Sequence, residues 1–182
     1  MAAKIYQLEI TLKDVKPPVW RRVLVSENTP LDDLHYIVQI AMGWTNSHLH
    51  QFIVNREYYS ILNEDFGNEL EQKDSSKFKL KQLGLTVKSK FLYEYDFGDG
   101  WLHEILLEDV TQAEPGRKYP LCTDGKRSCP PEDCGGPWGY ASLLEILKDP
   151  KHPEHEDWID WMPEDFDPEY FSADEVNKQL FQ

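Results

Sequence analysis

The amino-acid sequence predicts an α+β protein: a β-grasp-like mixed sheet crossed by one amphipathic helix, with a C-terminal loop-and-helix extension. Three observations predict it. Residues 4–13, KIYQLEITLK, alternate apolar and polar side chains with the period of a half-buried strand. Residues 29–44, TPLDDLHYIVQIAMGW, instead repeat their apolar side chains at helical spacing. Up to residue 110 the pattern then runs strand, strand, helix, strand, short helix, strand, an order that lays one helix over one face of a sheet.

In the first strand Tyr6, Leu8, Ile10 and Leu12 share one face, and Gln7, Glu9, Thr11 and Lys13 the other. Pro17 and Pro18 end the ladder, because each fixes φ and lacks an N–H, so residues 19–25 form the second strand of an antiparallel hairpin. In the helix Thr29 is placed to cap, Pro30 fits the first turn, and Asp32 and Asp33 complement the positive end of the dipole. Leu31, Leu34, Ile37, Val38 and Ala41 make its apolar face, and Gly43 offers a left-handed stop. HLHQFIV, residues 48–54, is a third strand, and residues 55–60 turn into a short fourth. The polar, acidic residues 63–79 read as a long mobile connection. A helical turn, a bend and the strand FLYEYDF follow. From residue 120 a loop dense in Gly, Pro and Cys leads to helices at YASLLEILKDP, HPEHEDWIDWM and SADEVNKQLF, the last opened by a Ser172–Glu175 capping box. Residues 1–182 thus make one domain, with a sheet-rich core at 4–110 and a Cys/Gly/Pro loop with an acidic helical extension at 111–182.

Residues 91–110, FLYEYDFGDGWLHEILLEDV, read as a hairpin. A three-residue loop of Gly98, Asp99 and Gly100 pairs Phe97 with Trp101 and Tyr95 with His103. Phe91, Tyr93, Tyr95 and Phe97 then share a face with Trp101, His103, Ile105 and Leu107, leaving Glu94, Asp96, Glu104 and Glu108 on the other. His103 is either a partly buried histidine held by one hydrogen bond or a member of a site.

Charge limits the partners. The chain carries 19 basic and 33 acidic side chains, a net of −14. Duplex binding requires neutralised phosphates, so this balance argues against nonspecific nucleic-acid binding, and the Arg21-Arg22 pair is too small a footprint to reverse it. No apolar run approaches the roughly 18 residues of a membrane span, so no membrane partner is expected. Three cysteines do not make a disulfide scaffold. The opening MAAKIYQLEI lacks the tripartite pattern of a leader, and the expected location is cytoplasmic.

Several constellations carry metal-capable side chains. His48 and His50 stand two apart on a strand and point to one face. Cys122, Cys129 and Cys134 form C-x6-C-x4-C and with His103 can make a Cys3His zinc site; the alternative is reduced structural thiols. Glu132, Asp133 and His103 can instead hold a harder divalent ion. Gly135 to Gly139 precedes a helix and is either an anion-binding turn or a turn with a packed Trp138. The DFG at residues 96–98 has no kinase context, HPEHEDW is not H-E-x-x-H, and no G-x-S-x-G occurs.

The stretches LKDVKPPVWRRVLV, LHYIVQIAMGWTNSHLHQF, YEYDFGDGWLHEI and CPPEDCGGPWGY, in this order, resemble the plasmid pRiA4b open-reading-frame-three-like family. That resemblance implies an uncharacterised protein met on plasmids, as a passenger of insertion elements and in chromosomes, and it implies no agreed catalytic residue. Some relatives bear a resolvase label, but this chain has no serine-recombinase pattern. Two function classes follow. One is a binding or adaptor module for a protein, peptide or small ligand, using Trp44, His48, His50, Asp96, Asp99, Trp101, His103, Asp133 and Trp138 around the 96–103 hairpin and the 129–139 loop. The other is a metal-dependent hydrolase or nuclease built from His, Asp and Cys ligands of the same cluster, with zinc or another divalent metal. The shared expectation is that the hairpin tip, the 129–139 loop and the SHLH segment meet at one pocket.

Overall fold

The alternation of residues 4–13 becomes strand β1 (Lys4–Leu12), which pairs on one side with β2 (Trp20–Ser26) and on the other with β7 (Trp101–Gln112). This is a computed structural model that describes residues 3–62 and 72–182. The remaining strands are β3 (His50–Val54), β4 (Glu57–Ser60), β5 (Lys73–Asp74), β6 (Lys90–Tyr95) and β8 (Leu121–Lys126). They form one eight-stranded sheet in the order β5-β4-β3-β6-β7-β1-β2-β8. Neighbours are antiparallel except β4 and β5, whose parallel pairing makes the sheet mixed. The α+β class is as expected.

Helix α1 (Leu31–Met42) lays Leu31, Leu34, Ile37, Val38, Ala41 and Met42 into the core and stops at Gly43 in the left-handed region. Thr29 does not cap it. Pro30 occupies the cap position without a side-chain bond, and the Leu31 amide donates to the Phe78 carbonyl while the Leu80 amide donates to that of Thr29. A neighbouring segment therefore satisfies the helix start that a side chain was expected to serve. Helices α2 (Gly136–Lys148), α3 (His155–Trp161) and α4 (Ala173–Leu180) follow. In α4 Ser172 Oγ accepts from the Glu175 amide, but the Glu175 carboxylate takes the Tyr170 hydroxyl, so the capping box forms on one side only.

Three further expectations are revised. Of the long connection expected at residues 63–79, residues 63–71 lie outside the described residues; past them, residues 73–77 form β5 and a 3-10 turn instead. The hairpin register is displaced by two residues: Tyr95 pairs with Trp101 and Tyr93 with His103. Asp96, at φ 56°, accepts the Gly98 and Asp99 amides and widens the turn. A two-residue displacement keeps every strand side chain on its face, so only the residues moved into the turn change environment: Phe97 is exposed and Asp96 is buried. Finally, β8 extends the sheet into a region read as loop. As an edge strand it pairs with β2 through its backbone, and LCTDGK needs no apolar alternation to do so.

The neighbouring Arg21 and Arg22 of β2 point to opposite faces. Arg22 lies among Glu9, Glu108 and Asp124. Arg21 is buried and donates to five carbonyls: Ala41 and Met42 at the end of α1, Trp20 of β2, and Lys126 and Arg127 at the end of β8. Its guanidinium also lies 4.4 Å from the centre of the Phe171 ring. One cation thus ties the helix, the sheet edge and the C-terminal segment together.

Candidate functional site

The hairpin tip docks on the loop that opens α2. Asp99 Oδ2 accepts the Gly135 amide at 3.2 Å. A Cβ at Gly136, whose φ is 67°, would stand 2.4 Å from the Asp99 carbonyl oxygen, so only glycine permits this approach. His48, in the segment between α1 and β3, reaches the same place. Its Nε2 lies 3.3 Å from Asp133 Oδ1 and 3.7 Å from both Asp96 Oδ2 and Glu132 Oε2.

Two of these carboxylates are held by one oxygen and free at the other. Glu132 Oε1 accepts the Thr45 amide at 2.8 Å, the Thr45 hydroxyl at 2.9 Å and the Tyr95 hydroxyl at 3.0 Å. Asp96 Oδ1 accepts the Gly98 and Asp99 amides. The opposite oxygens face His48, and both His48 Nε2 and Glu132 Oε2 are buried atoms without a hydrogen-bond partner. Beside Glu132, burial and the nearby carboxylate push the Tyr95 phenol up to about 12, which keeps it a proton donor. Ligand atoms of His48, Asp96 and Asp133 all lie within 4.8 Å of one another. Donors about 2.1 Å from a single ion stand roughly 3.0–3.4 Å apart at octahedral or tetrahedral angles, so small side-chain adjustments bring these atoms onto one cation. The Asp133 side chain is 73 % exposed and leaves that side open.

Other expected site residues lie elsewhere. His103 is fully buried: Nε2 accepts the Trp44 indole N–H at 3.1 Å and Nδ1 lies 3.2 Å from the Tyr93 carbonyl. Desolvation lowers its pKa to about 4, so it is a neutral core histidine with both nitrogens engaged. Trp44 and Trp101 are buried with it, their ring centres 5.3 Å apart, and form a floor beneath the site. His48 precedes β3 rather than belonging to it. His48 and His50 rest against successive tyrosines, Tyr95 and Tyr93, but only His48 joins the carboxylates. His50 stacks on His35 at 3.5 Å between ring centres. Asp99 anchors the loop. Trp138 is 87 % exposed and is not the packed tryptophan expected of its turn.

The Cys3His set does not assemble. Among the described residues the group whose ligand atoms converge is His48, Asp96 and Asp133, without Cys122, Cys129, Cys134 or His103. Burial raises all three thiol pKa values, that of Cys134 to about 12, so without an ion they stand as protonated thiols. What the spacing could not reveal is the anchoring of Glu132 by Tyr95 and Thr45, residues far apart in the chain. Two clefts adjoin the cluster. One of about 440 Å³ runs past Glu132 and Asp133 between Pro130, Pro131, Trp161, Pro163 and Phe166. The other, about 370 Å³, is lined by Asp133, Asp157, Trp158 and Trp161. The pair of tryptophans three apart in HEDWIDW was its available sequence signal.

The chain is 40 % identical over 153 residues to the uncharacterized protein y4hQ of Sinorhizobium fredii (strain NBRC 101917 / NGR234), covering 84 % of this chain and 77 % of that protein. It also resembles the crystal structure of the protein of unknown function MM3350 from Methanosarcina mazei Go1, at 39 % identity and a TM-score of 0.88, over 97 % of this chain and 99 % of that one. The model of the plasmid pRiA4b ORF-3-like proteins matches residues 4–175. Spanning hairpin, His48 segment and 129–139 loop alike, this match shows that the chain belongs to the plasmid pRiA4b ORF-3-like family.

Proposed function

We propose that this protein is a binding module that takes one divalent cation at His48, Asp96, Glu132 and Asp133 and uses it to hold a small ligand or a partner's side chain in the adjoining cleft. One observation carries the reading: the carboxylates of Asp96 and Glu132 are each fixed through one oxygen, while their other oxygens and His48 Nε2 face one another without hydrogen bonds. One imidazole with several carboxylates suits zinc or manganese better than an all-oxygen calcium site. No helix among the described residues is long and apolar enough to cross a membrane. The Arg21-Arg22 pair offers no phosphate footprint, since one is buried and the other engaged by acidic groups. The setting proposed is that of the family, on plasmids and other mobile elements as well as chromosomes.

A metal-dependent hydrolase is the second reading, favoured by the open Asp133 side, where an ion keeps positions for a water whose pKa it would lower. Calorimetric titration of zinc and manganese into tag-free, chelator-treated protein tests the proposal. One equivalent should bind, and His48→Ala and Asp96→Asn should each weaken binding at least tenfold with an unchanged circular dichroism spectrum. Equal uptake by wild type and both variants rejects the site. Metal-dependent cleavage of a simple phosphodiester or ester, lost in His48→Ala, selects the second reading.

A further inference from the structure

We propose a second ligand site, for an alkylammonium cation, in the cleft between α3 and Asp133. Trp158 and Trp161, one helical turn apart on α3, stand with ring centres 5.2 Å apart and planes at 87°. Two perpendicular indoles make an inner corner. Asp157 and Asp133 complete the lining, and the open cleft they border is about 370 Å³.

The chemistry of the four side chains selects the ligand. The face of an indole is the negative end of its quadrupole and attracts a cation within about 6 Å of the ring centre. A purely apolar ligand would gain from the tryptophans but would bring two carboxylates against hydrocarbon, leaving them desolvated without a partner. An anion would meet both carboxylates at close range. A compact cation with an alkyl shell satisfies both surfaces, since its methyl groups pack on the rings and its charge faces the acids. The volume is within the range of small-ligand pockets, about 300–1,000 Å³. Trp161 is 47 % exposed, so the corner opens to solvent without a gate. The surroundings reinforce the sign, because HEDWIDW places Glu156, Asp157 and Asp160 on this short helix with no Lys or Arg. Residues 111–182 as a whole hold seven basic and sixteen acidic side chains. The site shares Asp133 with the metal cluster but needs neither His48 nor a bound ion.

Choline and its uncharged isostere 3,3-dimethylbutan-1-ol provide the test, titrated into chelator-treated protein while tryptophan fluorescence and heat are recorded. Choline should bind saturably and at least tenfold more tightly than the alcohol. Trp161→Ala should weaken choline at least tenfold, and Asp157→Asn, which leaves the helix and both indoles in place, at least threefold. Equal affinity for choline and the alcohol, no saturable choline binding, or unchanged affinity in both variants overturns the proposal. Metal-free conditions keep this result separate from that of the metal titration.

Discussion

Arg21 and His48 both draw polar groups together away from open water, and they do so with opposite accounting. Every nitrogen of the Arg21 guanidinium reaches a main-chain carbonyl, at distances from 2.6 to 3.3 Å. His48 Nε2 faces three carboxylates at 3.3 to 3.7 Å and makes no hydrogen bond. A buried cation is tolerated when its donors are matched, so the Arg21 assembly is complete as it stands, although burial still lowers its pKa. The His48 assembly is arranged around a space: the scaffold holds one oxygen of Asp96 and of Glu132 and turns the other toward His48, that of Glu132 buried and unsatisfied. Unmatched buried atoms also occur in the core, at His50 Nε2 and Trp101 Nε1, so what sets the His48 assembly apart is that its unmatched atoms converge on one another beside the open Asp133 side chain.

The contrast breaks first at Arg21. Arg21→Met should cost roughly 3–5 kcal/mol, because it leaves the Ala41 and Met42 carbonyls at the end of α1 without their donor and removes the link to the edge of β8. Urea denaturation monitored by circular dichroism measures this. Arg21→Lys should recover only part of the loss, since an ammonium has three donors and no planar fork. A change below about 1 kcal/mol in Arg21→Met would mean that the clamp is not what joins these elements.

The core histidines give the next largest effect. His103 is held neutral, its pKa lowered by desolvation to about 4 from 6.5, facing the Trp44 indole N–H and the Tyr93 carbonyl with no carboxylate partner. His35 is shifted the same way, mainly by burial, against Tyr93, Asn46, His50 and the more distant Asp32. The unfolded chain binds protons at these residues below pH 6.5 and the folded chain does not. Their contribution is therefore complete above pH 6.5 and is lost as pH falls below it, for His103 down to about 4 and by roughly 3 kcal/mol. Urea midpoints between pH 7.5 and 4.5 should fall, and His103→Gln should flatten the decline. A stability that rises over this interval would contradict the neutral assignment.

Much of the scaffold was legible because periodicity encodes it: β1, β2, α1 and the face assignment of the β6–β7 hairpin follow from which side chains are apolar. β8 was not, since an edge strand such as LCTDGK pairs through its backbone and carries no alternating signature. The helix cap was missed because its partner, Phe78, belongs to a different segment. In the proposed site, His48, Asp96 and Asp133 were named from residue type, and the meeting of hairpin tip and loop from the His, Cys and Trp gathered in those stretches together with their glycines. The error lay in treating every metal-capable residue as a ligand. His103 alternates inward on β7 opposite Tyr93, and no cysteine sulfur joins the converging ligand atoms although Cys134 directly follows Asp133, outcomes that depend on packing depth rather than on spacing.

The smallest expected effect sharpens the contrast most. In metal-free protein His48→Ala should change stability by no more than about 1 kcal/mol, because Nε2 has no hydrogen bond to lose and what the ring meets is the Tyr95 ring, 5.7 Å between centres, and carboxylates at 3.3 to 3.7 Å around a partly exposed imidazole. Asp96→Asn should be similarly mild: it retains an oxygen for the Gly98 and Asp99 amides and removes the charge from the side facing His48. With cation at about 100 times its dissociation constant, wild type should gain about 2.7 kcal/mol by mass action while His48→Ala gains almost none. Thermal melts with and without zinc read all four states. A loss above about 2 kcal/mol in metal-free His48→Ala would place His48 with Arg21 as a structural residue, and the unfilled space among the carboxylates would then lose its claim to be a site.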